Sequence, residues 1–136
     1  MKPHLFCFGL GYSATFLARQ LVAKGWPVTV TCRSRDHQVE LSRLGIEAHL
    51  FDRDRPIGNL SQLLPSVTHL LSSVPPDEEG DPVLDVHRAE IDAAAPHLAW
   101  IGYLSTTGVY GDRHGDWVDE ASPLAPSTER GHRRLA

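Results

Sequence analysis

The chain of 136 residues lacks several features that would place it in a specialised class. No apolar run approaches transmembrane length, and the net charge of -4 is mild, with no basic stripe along any predicted helix. No histidines form an H-x-x-x-H pair, and the two cysteines, Cys7 and Cys32, do not have metal-ligand spacing. We therefore expect no membrane segment, no nucleic-acid partner and no metal site, and we interpret the cysteines as core residues of a cytoplasmic protein.

A G-x-G-x-x-A motif occupies residues 9–14 and is the most informative feature present. It follows the apolar run Leu5–Phe8 and precedes an apolar pattern of helical period. A glycine motif between a strand and a helix is the dinucleotide-binding fingerprint. In this interpretation Gly9 makes the tight turn, Gly11 lets a pyrophosphate approach the backbone, and Ala14 keeps the helix close to the strand. The alternative is a glycine-rich turn without a ligand.

The start of the helix after this motif supplies further donors. Backbone N–H groups there, including those of Tyr12 and Ser13, have no partner within the helix, and the helix dipole adds a partial positive charge. Both properties favour a phosphate group. Tyr12 and Ser13 are therefore candidate cofactor-binding residues.

Predicted strands and helices alternate along the chain. The predicted strands cover residues 3–8, 28–32, 46–51, 68–73 and 100–105. The predicted helices cover residues 13–24, 36–44, 60–64 and 83–97, and a last helix begins near residue 128. This order predicts an α/β fold with a doubly wound parallel sheet of Rossmann type and strand order 3-2-1-4-5. Ligands bind to such sheets at the carboxyl ends of strands one and four, so Ser73, Val74 and Pro75 are also candidates.

The residues after the second strand discriminate between NAD and NADP. An acidic residue there binds the ribose 2′-hydroxyl of NAD, whereas an arginine accommodates the 2′-phosphate of NADP. Arg33 stands at this position, Ser34 adds a hydroxyl donor and Arg35 adds a second cation. We predict a preference for NADP, with NAD possible, and the alternative is a solvated basic loop. Asp52, after the third strand, either meets the adenine or caps a turn.

Two later segments resemble the extended short-chain dehydrogenase/reductases, which include sugar-nucleotide epimerases and dehydratases. Residues 103–112 read YLSTTGVYGD and are similar to the family's motif at its fifth strand. Residues 118–123 read VDEASP and resemble its V-x-E-x-x-P stretch. With the glycine motif, the resemblance extends over the whole chain. It is strongest to an atypical bacterial branch of epimerase/dehydratase-like proteins.

The resemblance implies an NAD(P)-dependent reductase or epimerase/dehydratase that acts on a carbonyl or sugar-nucleotide-type substrate. Thr106 would then polarise the substrate oxygen, with a strand-end hydroxyl satisfied by the backbone as the alternative, and Tyr110 is a weaker candidate. The family's Tyr-x-x-x-Lys acid/base pair is missing, because Arg130 and Arg134 stand at its positions. Arginine stays protonated and is no proton donor. A non-catalytic NADP(H)-binding or redox-sensing module therefore remains the second interpretation.

Length is the other departure from the family, whose members are considerably longer. The resemblance implies that residues 1–136 are an NAD(P)-binding Rossmann domain, the N-terminal part of a longer fold, with the C-terminal part truncated. We expect such a chain to bind most of a dinucleotide without catalysing turnover by itself.

Overall fold

The computed structural model of the chain describes residues 2–104, 114, 117 and 119–125. The five strands are β1 (Leu5–Phe8), β2 (Val28–Cys32), β3 (Glu47–Leu50), β4 (His69–Ser72) and β5 (Trp100–Tyr103). They form one sheet of order β3-β2-β1-β4-β5, and every neighbouring pair is parallel. The predicted fold class and strand order are confirmed.

The helices follow the predicted alternation. They are α1 (Tyr12–Ala23), α2 (Arg35–Arg43), α3 (Leu60–Leu63) and α4 (Pro82–Ala94), with 3₁₀ turns at Leu64–Ser66 and Ala95–His97. The fourth helix ends earlier than predicted, since Pro96 has no N–H to continue the α-helical hydrogen bonds. The first strand begins at Leu5 rather than at the predicted Pro3, which has no N–H to donate to a sheet. Ser105 and the helix predicted near residue 128 lie outside the described residues.

The helices cover both faces of the sheet. The central strand β1 is buried throughout, as expected of a strand enclosed between two layers. Leu5 and Cys7 pack on one side with residues of α1 and α2, such as Ala14, Ala18 and Leu41. On the other side Phe6 and Phe8 pack with residues of α3 and α4, such as Leu60, Val83 and Ile91. The two helical layers leave the carboxyl ends of the strands to the connecting loops.

Both cysteines lie in strands and are buried, as predicted. Burial raises the pKa of the Cys7 thiol to about 12 and also raises the pKa of Cys32. Because the thiolate is the reactive form, both side chains act here as small core groups.

Within the described part of the chain, no helix combines the length and apolar character needed to cross a bilayer.

Candidate functional site

A cavity of about 720 Å³ opens at the carboxyl ends of the strands. Four loops line it, with residues 9–11 after β1, 31–34 at the end of β2, 51–54 after β3, and 73–77 after β4. The connections from β1 and β4 leave toward opposite sides of the sheet at this point. The cavity therefore occupies the switch point at which doubly wound sheets bind ligands.

The turn at Gly9 is built for glycine alone. Its φ of +78° is in the left-handed region, and an added Cβ would lie 3.0 Å from Val74 Cγ2 and 3.1 Å from Ser73 Oγ. The Gly9 N–H donates to Thr31 Oγ1 at 2.7 Å, while its carbonyl accepts from Cys7 Sγ at 3.0 Å. Hydrogen bonds from β1 and β2, together with the close approach of the loop after β4, thus fix the turn. The role of Thr31 was not predicted, because its partner is 22 residues away in sequence.

The space around Gly11 is open, whereas the space around Gly9 is crowded. It is the N-cap of α1, with a φ of -78°, and an added Cβ would meet no atom within 4 Å. The first turn of α1 contains no acidic residue to occupy its free N–H groups. Space for a ligand therefore lies directly above the backbone at Gly11, beside the helix N-terminus.

The three residues after Gly11 occupy different surroundings. Ala14 is buried against the strands, as the motif predicted. Ser13 is exposed, and the Tyr12 side chain contributes to a second groove on the surface of α1, away from the main cavity. The backbone N–H groups of this first turn are therefore the part that faces an incoming phosphate.

Arg33 and Ser34 line the cavity after β2, whereas Arg35 is an exposed residue at the start of α2. Ser34 is the N-cap of α2, and its Oγ accepts from the His37 N–H at 3.1 Å. This hydrogen bond leaves the hydroxyl proton of Ser34 for another acceptor. His37 also lines the cavity and was not predicted as a site residue.

Asp52 has the second of the two roles considered for it, that of a turn cap. It lines the cavity, and its carboxylate also caps the turn that follows β3. Its Oδ1 accepts from the Asp54 N–H at 2.9 Å, and its Oδ2 pairs with Arg55 at 3.2 Å. The hydrogen bond from Arg55 lowers the pKa of Asp52, with a smaller effect from the Asp54 N–H.

Ser73, Val74 and Pro75 all line the cavity. Ser73 is held against β1, because its N–H donates to Phe8 O at 2.8 Å and its Oγ donates to the same oxygen at 3.2 Å. Val74 packs beside Gly9. This loop forms the wall opposite the Arg33 side of the cavity.

An arginine that the motif analysis missed links two of the loops. Arg53 Nε and Nη2 contact the two carboxylate oxygens of Asp77, each at 2.7 Å, and Nη1 contacts Asp85 at 2.8 Å. Glu79 lies 3.2 Å from Arg53 Nε. The hydrogen bonds from Arg53 are the main reason that the pKa of Asp77 falls to about 2. Opposite charges in the sequence were the only available signal, and they do not identify the pairing.

A buried histidine ties the same region to the core. His87 Nε2 accepts from the Ile57 N–H at 3.0 Å, and its ring packs near those of Phe8 and Phe51. Since Nε2 accepts, a neutral ring carries its proton on Nδ1, which lies 3.5 Å from Glu90 Oε1. The backbone of α4 departs from helical geometry at His87. The loop after β3 is thus attached to α4 both at its surface and from within.

Several predicted positions lie outside the described residues, namely Thr106, Tyr110, Arg130 and Arg134. Among the residues that the structure does describe, no three potential metal ligands of the His, Cys, Asp or Glu type cluster together.

No protein-family model matches the chain. Protein YeeZ of Escherichia coli strain K12 is 31% identical to it over 132 residues, which are 90% of this chain and 47% of YeeZ. A functionally unknown conserved protein from Silicibacter pomeroyi has a similar structure, with a TM-score of 0.85 and 42% identity over 98% of this chain and 46% of that protein. The chain therefore spans about half the length of the relatives that it matches.

Two more distant structures are of enzymes. The enzyme WbmG of Bordetella bronchiseptica, in complex with NAD and UDP, has a TM-score of 0.73 and 17% identity over 99% of this chain and 47% of its own. UDP-N-acetylglucosamine 4-epimerase of Bacillus cereus has a TM-score of 0.68 and 15% identity over 98% of this chain and 46% of its own. The predicted resemblance to epimerase-like proteins is confirmed at the level of the fold.

Proposed function

We propose that the cavity binds a nicotinamide dinucleotide, with NADP(H) preferred to NAD(H). In this proposal residues 1–136 form the NAD(P)-binding domain of a reductase or epimerase/dehydratase-like protein. The observation that carries the proposal is the convergence of the G-x-G-x-x-A loop, Arg33 and the Ser73–Pro75 segment on one cavity at the switch point. The likeness of the fold to the NAD-bound enzyme WbmG supports it.

The pyrophosphate would lie over Gly11, where the absence of a Cβ leaves the backbone accessible. The N–H groups of Tyr12, Ser13 and Ala14 would then donate to its oxygens, and the α1 dipole would add a favourable field. The acid-free first turn of α1 suits an anionic ligand. The fixed turn at Gly9 would hold this loop in place before the ligand arrives.

The adenosine would occupy the part of the cavity lined by Arg33, Ser34 and Asp52. Arg33 would contact the 2′-phosphate through its planar guanidinium, which matches two phosphate oxygens at once. Ser34 would donate its hydroxyl proton to the same group. Asp52 would face the adenine, with its charge partly balanced by Arg55.

A bound nicotinamide ring would supply hydride transfer, and the substrate would be a carbonyl or sugar-nucleotide-type compound. Thr106 would donate a hydrogen bond to the substrate oxygen and orient it. The proton donor of the family is not available in this chain, since Arg130 and Arg134 replace the tyrosine and the lysine. We therefore expect the chain alone to bind the cofactor without turnover.

Calorimetric titration of the chain with NADPH and with NADH tests the binding proposal. We expect saturable binding of both, with NADPH tighter. Failure of both cofactors to bind the folded protein at millimolar concentration would overturn the proposal. Equal affinities would overturn the preference alone.

The replacement of the acid/base pair favours a second candidate, a non-catalytic NADP(H)-binding or redox-sensing module. Turnover by the chain tests the second candidate. NADPH oxidation at 340 nm is measured with a panel of carbonyl and sugar-nucleotide substrates, using the chain and its Thr106→Ala variant. Turnover that depends on Thr106 would overturn both the sensor and our expectation that the chain alone is inactive, whereas cofactor binding without turnover is the result that both candidates give for this chain.

A further inference from the structure

We propose that Arg53 is a positioning residue at the adenosine end of the cavity. It holds two walls of the cavity, the loop after β3 and the loop after β4, at a fixed distance from each other. The inference rests on the proposed dinucleotide site. The two walls come from strands that are not neighbours, because β2 and β1 lie between β3 and β4 in the sheet. No backbone hydrogen bonds therefore join β3 directly to β4, and the loops that follow these two strands depend on other contacts to fix the distance between them.

The Arg53 side chain connects the loop after β3 to the loop after β4. Arg53 lies in the loop after β3, Asp77 lies in the loop after β4, and both line the cavity. The Arg53 side chain is only 21% exposed, which is low for an arginine in a loop. Its two parallel contacts with Asp77 fix orientation as well as distance, since both partners are planar. We call this pair, together with Asp85, the Arg53 clamp.

The acidic side of the clamp is itself held in position. Asp77 Oδ1 accepts from the Glu79 N–H at 2.9 Å and from the Gly80 N–H at 3.2 Å. Gly80 has a φ of +135°, and an added Cβ would lie 3.1 Å from Asp85 Oδ2. Glycine at this position thus lets the Asp85 carboxylate pack closely over the turn. Arg53 therefore meets an Asp77 carboxylate that the backbone has already oriented.

A positioning role and a purely electrostatic role of the clamp predict different dinucleotide affinities when Arg53 or Asp77 is replaced. Replacing Arg53 by a neutral residue makes the cavity more negative, and replacing Asp77 by a neutral residue makes it more positive. An anionic dinucleotide would therefore bind more weakly in the first case and more tightly in the second if charge alone mattered. If the clamp positions the walls, either replacement releases them and both variants bind more weakly.

The experiment compares Arg53→Gln and Asp77→Asn with the wild-type chain by calorimetry, using NADPH and 2′,5′-ADP as ligands. Arg43→Gln, an exposed arginine at the end of α2, is the control for loss of one positive charge. We expect both clamp variants to bind each ligand about tenfold more weakly, the equivalent of one lost charged interaction. Arg53→Lys keeps the charge without the planar fork and should recover only part of the affinity.

The measured affinities distinguish positioning by the clamp from an effect of net charge. Tighter binding by Asp77→Asn, or unchanged binding by folded Arg53→Gln, would overturn positioning while leaving the dinucleotide site intact. An equal loss in Arg43→Gln would also overturn it, because the effect would then be one of net charge. Failure of the wild-type chain to bind either ligand would overturn the site and the clamp together. If Arg53→Gln does not fold, Asp77→Asn and Arg53→Lys carry the test.

Discussion

The two ends of the cavity present different chemical groups to a ligand. At the Gly9–Gly11 end the surface is backbone, and its useful property is the absence of side chains. At the other end the surface is made by charged side chains, among them Arg33, Asp52 and Arg53. The first end depends on local chain geometry, and the second depends on pairings between loops that are far apart in sequence.

This difference determines how a substitution at each end would weaken ligand binding. A substitution at the backbone end adds atoms to a space that must remain empty, so the cause of its effect is steric. A substitution at the side-chain end removes a charge or a hydrogen bond, and its effect depends on partners and on ionic strength. Variants at each end of the cavity test that distinction.

Gly11→Val should weaken NADPH binding by about a hundredfold or more while leaving the fold intact. The branched side chain enters the space above the N-terminus of α1, and no protein atom lies there to be displaced. Loss of the pyrophosphate contacts removes at least two charge-assisted hydrogen bonds, each worth about 1.5 kcal/mol or more. Calorimetry measures the affinity, and circular dichroism checks the fold.

Gly58→Val is the matched control, because an added Cβ at Gly58 also meets no atom within 4 Å and Gly58 does not line the cavity. It should bind NADPH as the wild type does. An unchanged affinity in folded Gly11→Val would show that the glycine motif is a turn without a ligand.

Arg33→Ala should abolish most of the preference for NADPH over NADH. A charge-assisted contact with the 2′-phosphate is worth roughly 1.5–3 kcal/mol, which corresponds to about a ten- to hundredfold preference. NADH lacks that phosphate and should bind nearly unchanged. Titrations of both cofactors at two salt concentrations measure the preference and its electrostatic component.

Arg35→Ala serves as the neighbouring control, since Arg35 is exposed and does not line the cavity. It should keep most of the preference. A preference that survives in Arg33→Ala and disappears in Arg35→Ala would mean that the loop turns differently when the cofactor binds.

The backbone end was the more predictable from sequence. Apolar runs and glycines recur at local spacings, so the G-x-G-x-x-A motif and the alternating elements indicated the strand order and the position of Gly9 and Gly11. These features follow from short-range sterics. The same reasoning placed Arg33 beside the cavity, because the residue after β2 has a fixed position in this fold.

The side-chain end was only partly predictable. Arg53 and Asp77 are 24 residues apart, and their pairing requires two loops to meet across the end of the sheet. His87 is in a helix that was predicted without any role for this residue, yet it accepts the Ile57 N–H 30 positions away. Sequence spacing contains no signal for such contacts, which depend on how the loops pack.

Gly9→Ala should lower the free energy of unfolding by about 2 kcal/mol, whereas Gly11→Ala should change it little. An L-residue in the left-handed region costs about 1–2 kcal/mol, and the methyl group would also crowd Val74 and Ser73. Gly11 has a negative φ and open space around it. Urea unfolding of the two variants without cofactor measures the difference. Equal losses would mean that the two glycines do not divide their roles between fold and ligand.

The smallest expected effect concerns pH and the Arg53 clamp. Hydrogen bonds from Arg53 lower the pKa of Asp77 to about 2, below its ordinary value of 3.8. A carboxyl group whose pKa is lowered by folding contributes stability that is complete above its unfolded pKa and is lost as the pH falls through its folded pKa. The clamp should therefore contribute equally at pH 8 and pH 5, and its contribution should decline only below about pH 4.

The measurement is the difference in unfolding free energy between the wild type and Arg53→Gln, taken from urea melts at several pH values. We expect a constant difference from pH 8 to pH 5 and a smaller one near pH 3. A difference that already shrinks between pH 7 and pH 5 would show that Asp77 is not the group that controls the pH dependence of the clamp.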